Sequence, residues 1–494
     1  MYLITNGYFN HDGAIVYEYL RDAHMERGRW FSIVPDMLLG NYNLKWLNSL
    51  FALIYLSAAT SLIGVCLGLK RTPLILLLSG LIMSFPAVGL TFAYVYYVDN
   101  FFLAILLACL AVYFVKTFRF GFLFGAVPLF LSVAIYQAYI GVYAGLFVII
   151  LIKELLDGQD QKPVISRFFK YVIAFIIAMV AYFVSLIPVS GKMTSYAGIS
   201  SMGGLSAENL PGRFLSSYTD ILNIFFRNSY QIHHGFHIDR FTPISIYQYL
   251  FLAAFGISLA LLIIIIIGRK LYSKRAPFVL MLAFLAIFPP ACNLVTIVSA
   301  EHLYLLMQFS LILIYALMLV LVDVAAVVAE KGLPGLRRKI TYPASWALML
   351  FFCVLILNYT VYSNVYYLKM EIIMEQSRAL STEVVTRIRM EDFYAVEKTV
   401  MFWGVPPMNS SLYQFIDMEA MPLGNIMQMY SLQPFLYNYI GFNNTTMYYG
   451  YDLPQDIVES PEAFELVDRM PVFPADGSIV EFRDYIFVRF AGWY

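Results

Sequence analysis

Charge is what this chain has least of. Asp, Glu, Lys and Arg make up 13% of its 494 residues, roughly half the share usual in a soluble domain. The 32 basic and 32 acidic residues cancel, so there is no positive excess to hold nucleic acid. Cysteine is almost as scarce. Cys66, Cys109, Cys292 and Cys353 all lie inside apolar runs, which excludes a disulfide framework and a Cys-x-x-Cys metal site. Phosphate-binding Walker A, dinucleotide GxGxxG, HExxH and GxSxG signatures are also missing. No apolar leader precedes Asn6, so no signal peptide is visible.

What fills the space is apolar. Hydrophobic residues reach 61%, aromatics 17%, and the mean hydropathy is +0.72. A membrane-spanning helix needs about 20 apolar residues. Such runs occupy roughly 47–69, 73–92, 99–115, 121–136, 137–153, 168–189, 246–267, 277–298, 303–328 and 343–361. The chain therefore reads as a polytopic α-helical membrane protein of about ten crossings. Residues 121–153 fit one long helix or two short ones broken near Tyr136-Gln137-Ala138. Charge decides, because cytoplasmic loops carry the excess of Lys and Arg. With two helices there, the basic connections share one side, which holds 16 basic and 5 acidic residues. The opposite loops and the N-terminal stretch hold 8 and 10, and the tail from 362 holds 8 and 17.

Both termini are thus expected outside. An extracytoplasmic segment 1–45 with an acidic motif precedes a membrane domain 46–361, which carries a long outer loop at 190–245. A soluble extracytoplasmic α/β domain follows at 362–494. Within it, 366–392 has helical spacing, Lys398–Trp403 runs as a strand into Gly404, and Ile479–Phe490 alternates like one or two strands. Translocating 1–45 with no span ahead of it would be unusual. The expectation is that a first helix is missing, making eleven in all.

The spans are nearly free of ionisable residues, whereas polar residues and all six histidines gather at the outer ends. Asn10-His11-Asp12-Gly13, then Glu18, Arg21, Arg27 and Gly28-Arg29-Trp30, supply carboxylates and guanidinium groups. A carboxylate can deprotonate a sugar hydroxyl, and fixed positive charge, best as the planar fork of arginine, stabilises a departing phosphate. The same pattern also fits a solvated polar segment. Asp99-Asn100 opens a helix, as a cap or as a site. Tyr136-Gln137 fits sugar contact or an aromatic belt. His233 and His237 would share a helical face and could bind a divalent cation with Asp239, contact phosphate or sugar, or simply build a loop. Glu301-His302 reads as a cap or a phosphate contact. With no nucleotide-binding motif, a sugar carried on a lipid phosphate is the donor that these features suggest.

An acidic residue in the first outer segment, a following Gly-Arg-Trp, a Tyr-x-Asp-Asn turn before Leu103–Tyr113, and then Tyr136-Gln137-Ala138 resemble the O-antigen glucosyltransferases of the Gtr type II family. The resemblance spans roughly 1–365. It implies a GT-C fold in a bacterial plasma membrane. It further implies inverting transfer of glucose or another hexose from a polyprenyl-phosphate donor to an envelope glycan acceptor, among membrane lipids and without nucleic acid. Asp12 would be the base; Arg29, and with it Arg27 or Arg21, would hold the phosphate. Asp99 would orient donor or acceptor, with His11, Glu18, Trp30, Asn100, Tyr136, Gln137 and His302 as further binding candidates. No cofactor is required by this reading, and a divalent cation stays open. Two departures stand out: the helix expected before the acidic motif is missing, and His11-Asp12 replaces a paired acid. A lipid-linked sugar transporter or flippase would need charged spans and repeated halves; a membrane scaffold would need no catalytic acid.

Overall fold

In the computed structural model the chain is predominantly helical. The structure describes Gly13, 24–40, 42, 44–192, 209–232, 236–238, 246–299, 303–330, 335–404, 434–442, 447–449 and 453–491. There are two compact units: Glu18–Asn364, and Met1–Tyr17 together with Val365–Tyr494.

Among the described residues of the whole chain, eight helices are long and apolar enough to cross a membrane. A ninth candidate is the pair Thr72–Ser84 and Pro86–Phe92, bent by 46° where Pro86 cannot donate the next backbone hydrogen bond. Gly121–Ile135 is a shorter apolar helix. It ends at an extended Tyr136 (φ −153°), and a 3-10 turn, Gln137–Tyr139, leads into the helix Ile140–Leu156. The stretch 121–153 is therefore two helices, broken at Tyr136-Gln137-Ala138 as the charge argument requires.

Close packing of the larger unit begins with glycine. Gly121 and Gly125 are four apart on one helix face, against the Val98–Thr117 helix. A Cβ at Gly121 would lie 2.0 Å from the Phe114 carbonyl oxygen, and one at Gly125 would lie 2.7 Å from that of Ala111. Neither backbone atom can swing aside. Such small-residue pairs let helix backbones approach in lipid, where hydrophobic burial gives no advantage to helix pairing.

The helix ends differ chemically. At one end Arg71 meets Glu330 at 2.7 Å and Asp323 at 3.4 Å, Arg269 meets Asp157 at 3.1 Å, and Lys274 meets Asp160 at 2.8 Å. Arg167 and Glu154 pair there too. This is the end that gathers the basic connections. The other end collects helix breaks and buried hydrogen-bonded polar side chains.

The division between the two units, after Asn364, falls within the helix Gly335–Met390. In the smaller unit, β3 (Thr399–Trp403) lies between parallel neighbours β4 (Met447–Tyr449) and β6 (Tyr485–Arg489), and β5 (Ile479–Phe482) pairs antiparallel with β6. Side chains alternate across the sheet. Val400, Phe402, Ile486 and Val488 pack with Val384, Val385 and Ile388 of the long helix. Met401, Trp403 and Phe487 pack with Ala463 and Val467 of the Pro461–Arg469 helix. Helix, sheet and helix form three layers, with the expected helix and strands in place.

Gly121→Ala should lower the thermal midpoint of the detergent-solubilised protein by several degrees, on the scale of overpacking at about 1–3 kcal/mol. Gly212→Ala, where an added Cβ meets nothing within 4 Å, is the control. Equal midpoints for the two variants would refute the close-approach account.

Candidate active site

The Gly-Arg-Trp motif closes a helix. Gly28 takes a left-handed conformation (φ +65°). Its N–H donates to the Met25 carbonyl at 3.1 Å, and the Arg29 N–H donates to that of His24 at 2.8 Å. This pair of bonds is a Schellman C-cap, which favours glycine because no Cβ opposes positive φ. Side chains from distant helices then fix the turn. Gln137 Nε2 donates to the Arg27 carbonyl at 3.2 Å and to the Tyr182 hydroxyl at 2.8 Å, while Tyr182 donates to the Gly28 carbonyl at 3.2 Å. Trp30 Nε1 donates to Ser185 Oγ at 2.9 Å, and its ring rests against Phe130.

Arg29 is the product of this anchoring. Its guanidinium carbon sits 4.6 Å from the centre of the Tyr136 ring. Its Nε is buried with no hydrogen-bond partner among the described residues. A buried donor left open costs about 1–3 kcal/mol, and the ring face returns about 0.5–2 kcal/mol.

Next to this turn lies a carboxylate that the sequence patterns did not single out. Asp36, on the helix Ile33–Leu38, accepts from His24 Nε2 at 2.7 Å on one oxygen and from Asn100 Nδ2 at 2.8 Å on the other. His24 Nδ1 lies 3.0 Å from the Tyr97 hydroxyl. A neutral imidazole protonated on Nε2 satisfies both contacts, donating to Asp36 and accepting from Tyr97. Burial is the main effect on this histidine and lowers its pKa below the usual 6.5, against the opposing pull of the Asp36 carboxylate.

Asp99 follows on the same hairpin. It stands in the first turn of Val98–Thr117, whose N-cap position is Tyr97, so Asp99 is not the cap. It is 2% exposed, and its Oδ1, like Asn100 Oδ1, has no hydrogen-bond partner among the described residues. Two acids and a guanidinium thus occur in one network of helix ends.

A second polar cluster closes the same end of the unit. Asp220, on the helix Leu210–Phe226, accepts from Thr296 at 2.9 Å and from Asn293 at 3.1 Å. Gln308 donates to Asn293 at 2.9 Å where the chain leaves helical geometry.

Among the candidates from sequence, Arg29, Tyr136 and Gln137 converge, and Asp99 and Asn100 join them through Asp36 and His24. Gln137 and Trp30 spend their polar atoms on holding protein. Arg27 contributes a backbone carbonyl to the turn. His11, Asp12, Glu18, Arg21, His233, Asp239 and His302 lie outside the described residues. His237 lies in β2 (Phe236–Ile238), antiparallel to β1 (Tyr230–Ile232), which removes helical spacing as a reason to pair it with His233. No group of three metal-binding side chains occurs among the described residues.

His24 also yields a prediction in pH. Its folded pKa is depressed, so above about pH 6.5 both folded and unfolded chains hold it neutral. On acidification the unfolded chain takes the proton first, and stability falls as pH drops toward the folded pKa. The midpoint of the wild type should therefore fall more between pH 7.5 and 5.5 than that of His24→Gln, whose amide donates but does not titrate. Identical pH profiles would contradict the neutral, buried assignment.

Comparison with curated proteins and with solved structures finds no match. A family model described as glucosyl transferase GtrII matches residues 1–321, a stretch that holds the Gly-Arg-Trp turn, Asp36, the Asp99 hairpin, the Tyr136 break and the Asp220 cluster. With about two thirds of its length matched, the chain belongs to the GtrII glucosyl transferase family.

Proposed function

We propose that this glycosyltransferase is an inverting GT-C enzyme. It moves glucose or another hexose from a polyprenyl-phosphate donor to an envelope glycan such as an O-antigen or teichoic acid, at the outer face of the bacterial plasma membrane. The observation that carries the reading is Arg29: a half-buried guanidinium, stacked on Tyr136, with Nε unsatisfied among the described residues. An orphan charged donor at a site is what a leaving phosphate needs.

In this reaction Asp12 takes the proton of an acceptor hydroxyl. The oxygen attacks the anomeric carbon from the face opposite the phosphate, and the carbon–oxygen bond to phosphate breaks. The electron pair leaves with the polyprenyl phosphate, whose charge Arg29 neutralises, with Arg27 or Arg21 as further candidates for that role. Asp99 and Asn100 orient the sugar hydroxyls through the carboxylate and amide oxygens that have no hydrogen-bond partner among the described residues. Phosphate is a good leaving group, so positioning and charge complementarity supply most of the rate.

Purified protein should form a glycan from one member of a panel of polyprenyl-phosphate sugars. Arg29→Ala should reduce turnover by about 100-fold or more, with Arg29→Lys intermediate, and Asp12→Asn should abolish transfer without loss of folded protein. Full turnover by both Arg29→Ala and Asp12→Asn would remove the site assignment.

A further inference from the structure

Gly13, the residue that follows Asp12, is buried, and its carbonyl accepts a hydrogen bond from the Tyr439 hydroxyl at 3.4 Å. The two residues are 426 positions apart. Met1–Tyr17 belongs to the same compact unit as Val365–Tyr494, so this contact is internal to that unit.

Tyr439 is held firmly enough to serve as a fixed point. It lies on a single π-helical turn, Leu436–Ile440, a form often found at functional positions. Gly441 ends the turn in a left-handed conformation (φ +69°), and the Phe442 N–H returns to the Leu436 carbonyl at 3.0 Å. Arg389, from the long helix, donates to the Gly441 carbonyl at 2.9 Å and lies over the Phe442 ring. Leu436 and Phe442 are part of the core beneath the sheet. The Tyr439 ring stacks on buried Phe435 with centroids 5.3 Å apart. Ring and backbone are both constrained, and the hydroxyl is directed to Gly13.

We infer that Tyr439 is a positioning residue for the transfer reaction, fixing the backbone next to the proposed base. The C-terminal domain then holds Gly13, the residue that follows the proposed base, which is a different task from recognising the acceptor. The inference rests on the assignment of Asp12 as base. A base must meet its proton within hydrogen-bond range, and a displacement of about 1 Å can cost up to about 100-fold in rate.

The test uses the full chain in membranes. A photo-crosslinking p-benzoylphenylalanine at position 439 should capture the tryptic peptide that contains Gly13. Tyr439→Phe, which keeps the stacked ring and removes only the hydroxyl, should lower kcat by about tenfold and leave KM for the lipid donor unchanged. The exposed neighbour Tyr437→Phe should match the wild type. Capture of other peptides only, or wild-type kcat in Tyr439→Phe, would overturn the inference. Asp12→Asn in the same preparation separates the two claims. If it is inactive while Tyr439→Phe is normal, the base assignment stands and the positioning role falls. If it is fully active, the base assignment falls, and crosslinking still decides whether Tyr439 holds the segment.

Discussion

Asp36 receives His24 on one carboxylate oxygen and Asn100 on the other. These two bonds tie the segment that carries Arg29 to the hairpin that carries Asp99. Hydrogen bonds to a charged group are worth about 1.5–3 kcal/mol each, and losing one buried partner costs more than the bond itself. The carboxylate is 16% exposed and the imidazole fully buried, so water competes weakly. Without this junction the Arg29 turn would still be held by Gln137 and Tyr182, and its register against the Asp99 hairpin would rest on the single contact between His24 and Tyr97. The placement of Asp99 relative to the guanidinium therefore draws on Asp36 and His24 together.

The wider architecture makes such a junction affordable in lipid. Long apolar helices satisfy their own backbone groups and carry little charge. Among the described residues of the larger unit, the pairs of Lys or Arg with Asp or Glu lie at one set of ends, where Arg71, Arg269 and Lys274 find acids close by. Helix breaks are confined to the other: the bend before Pro86, the turn Gln137–Tyr139 and the irregular segment around Gln308. Breaks expose backbone carbonyls and call for polar side chains, and these polar side chains can also face a substrate. Glycine contact between Val98–Thr117 and Gly121–Ile135 brings two of the site-bearing hairpins together.

Much of this was legible in the sequence, and the reasons differ by element. Hydropathy marks spans because lipid imposes length and composition on them. The Tyr136-Gln137-Ala138 break followed from charge balance rather than from any local breaker. The alternation in Ile479–Phe490 read as one or two strands, and the chain forms two, Ile479–Phe482 and Tyr485–Arg489. Arg29 and Asp99 stood out as ionisable residues beside helix ends. Asp36 did not, because its importance comes from His24 and Asn100, partners 12 and 64 positions away. Nor did Tyr182 or Asn293, whose roles are contacts across helices. Gln137 was noticed for its type, yet its amide serves the Arg27 and Gly28 carbonyls, which no local pattern could reveal. The helical spacing read into His233 and His237 does not hold at His237, which lies in the strand Phe236–Ile238.

The central claim is that Arg29 is poised for the phosphate of an isoprenoid-linked sugar. An experimental structure of the protein with polyprenyl phosphate bound tests it most directly. The account requires phosphate oxygens within about 3 Å of the Arg29 guanidinium, with Tyr136 still stacked against it. Phosphate density at another group of basic residues, with Arg29 unengaged, would contradict it.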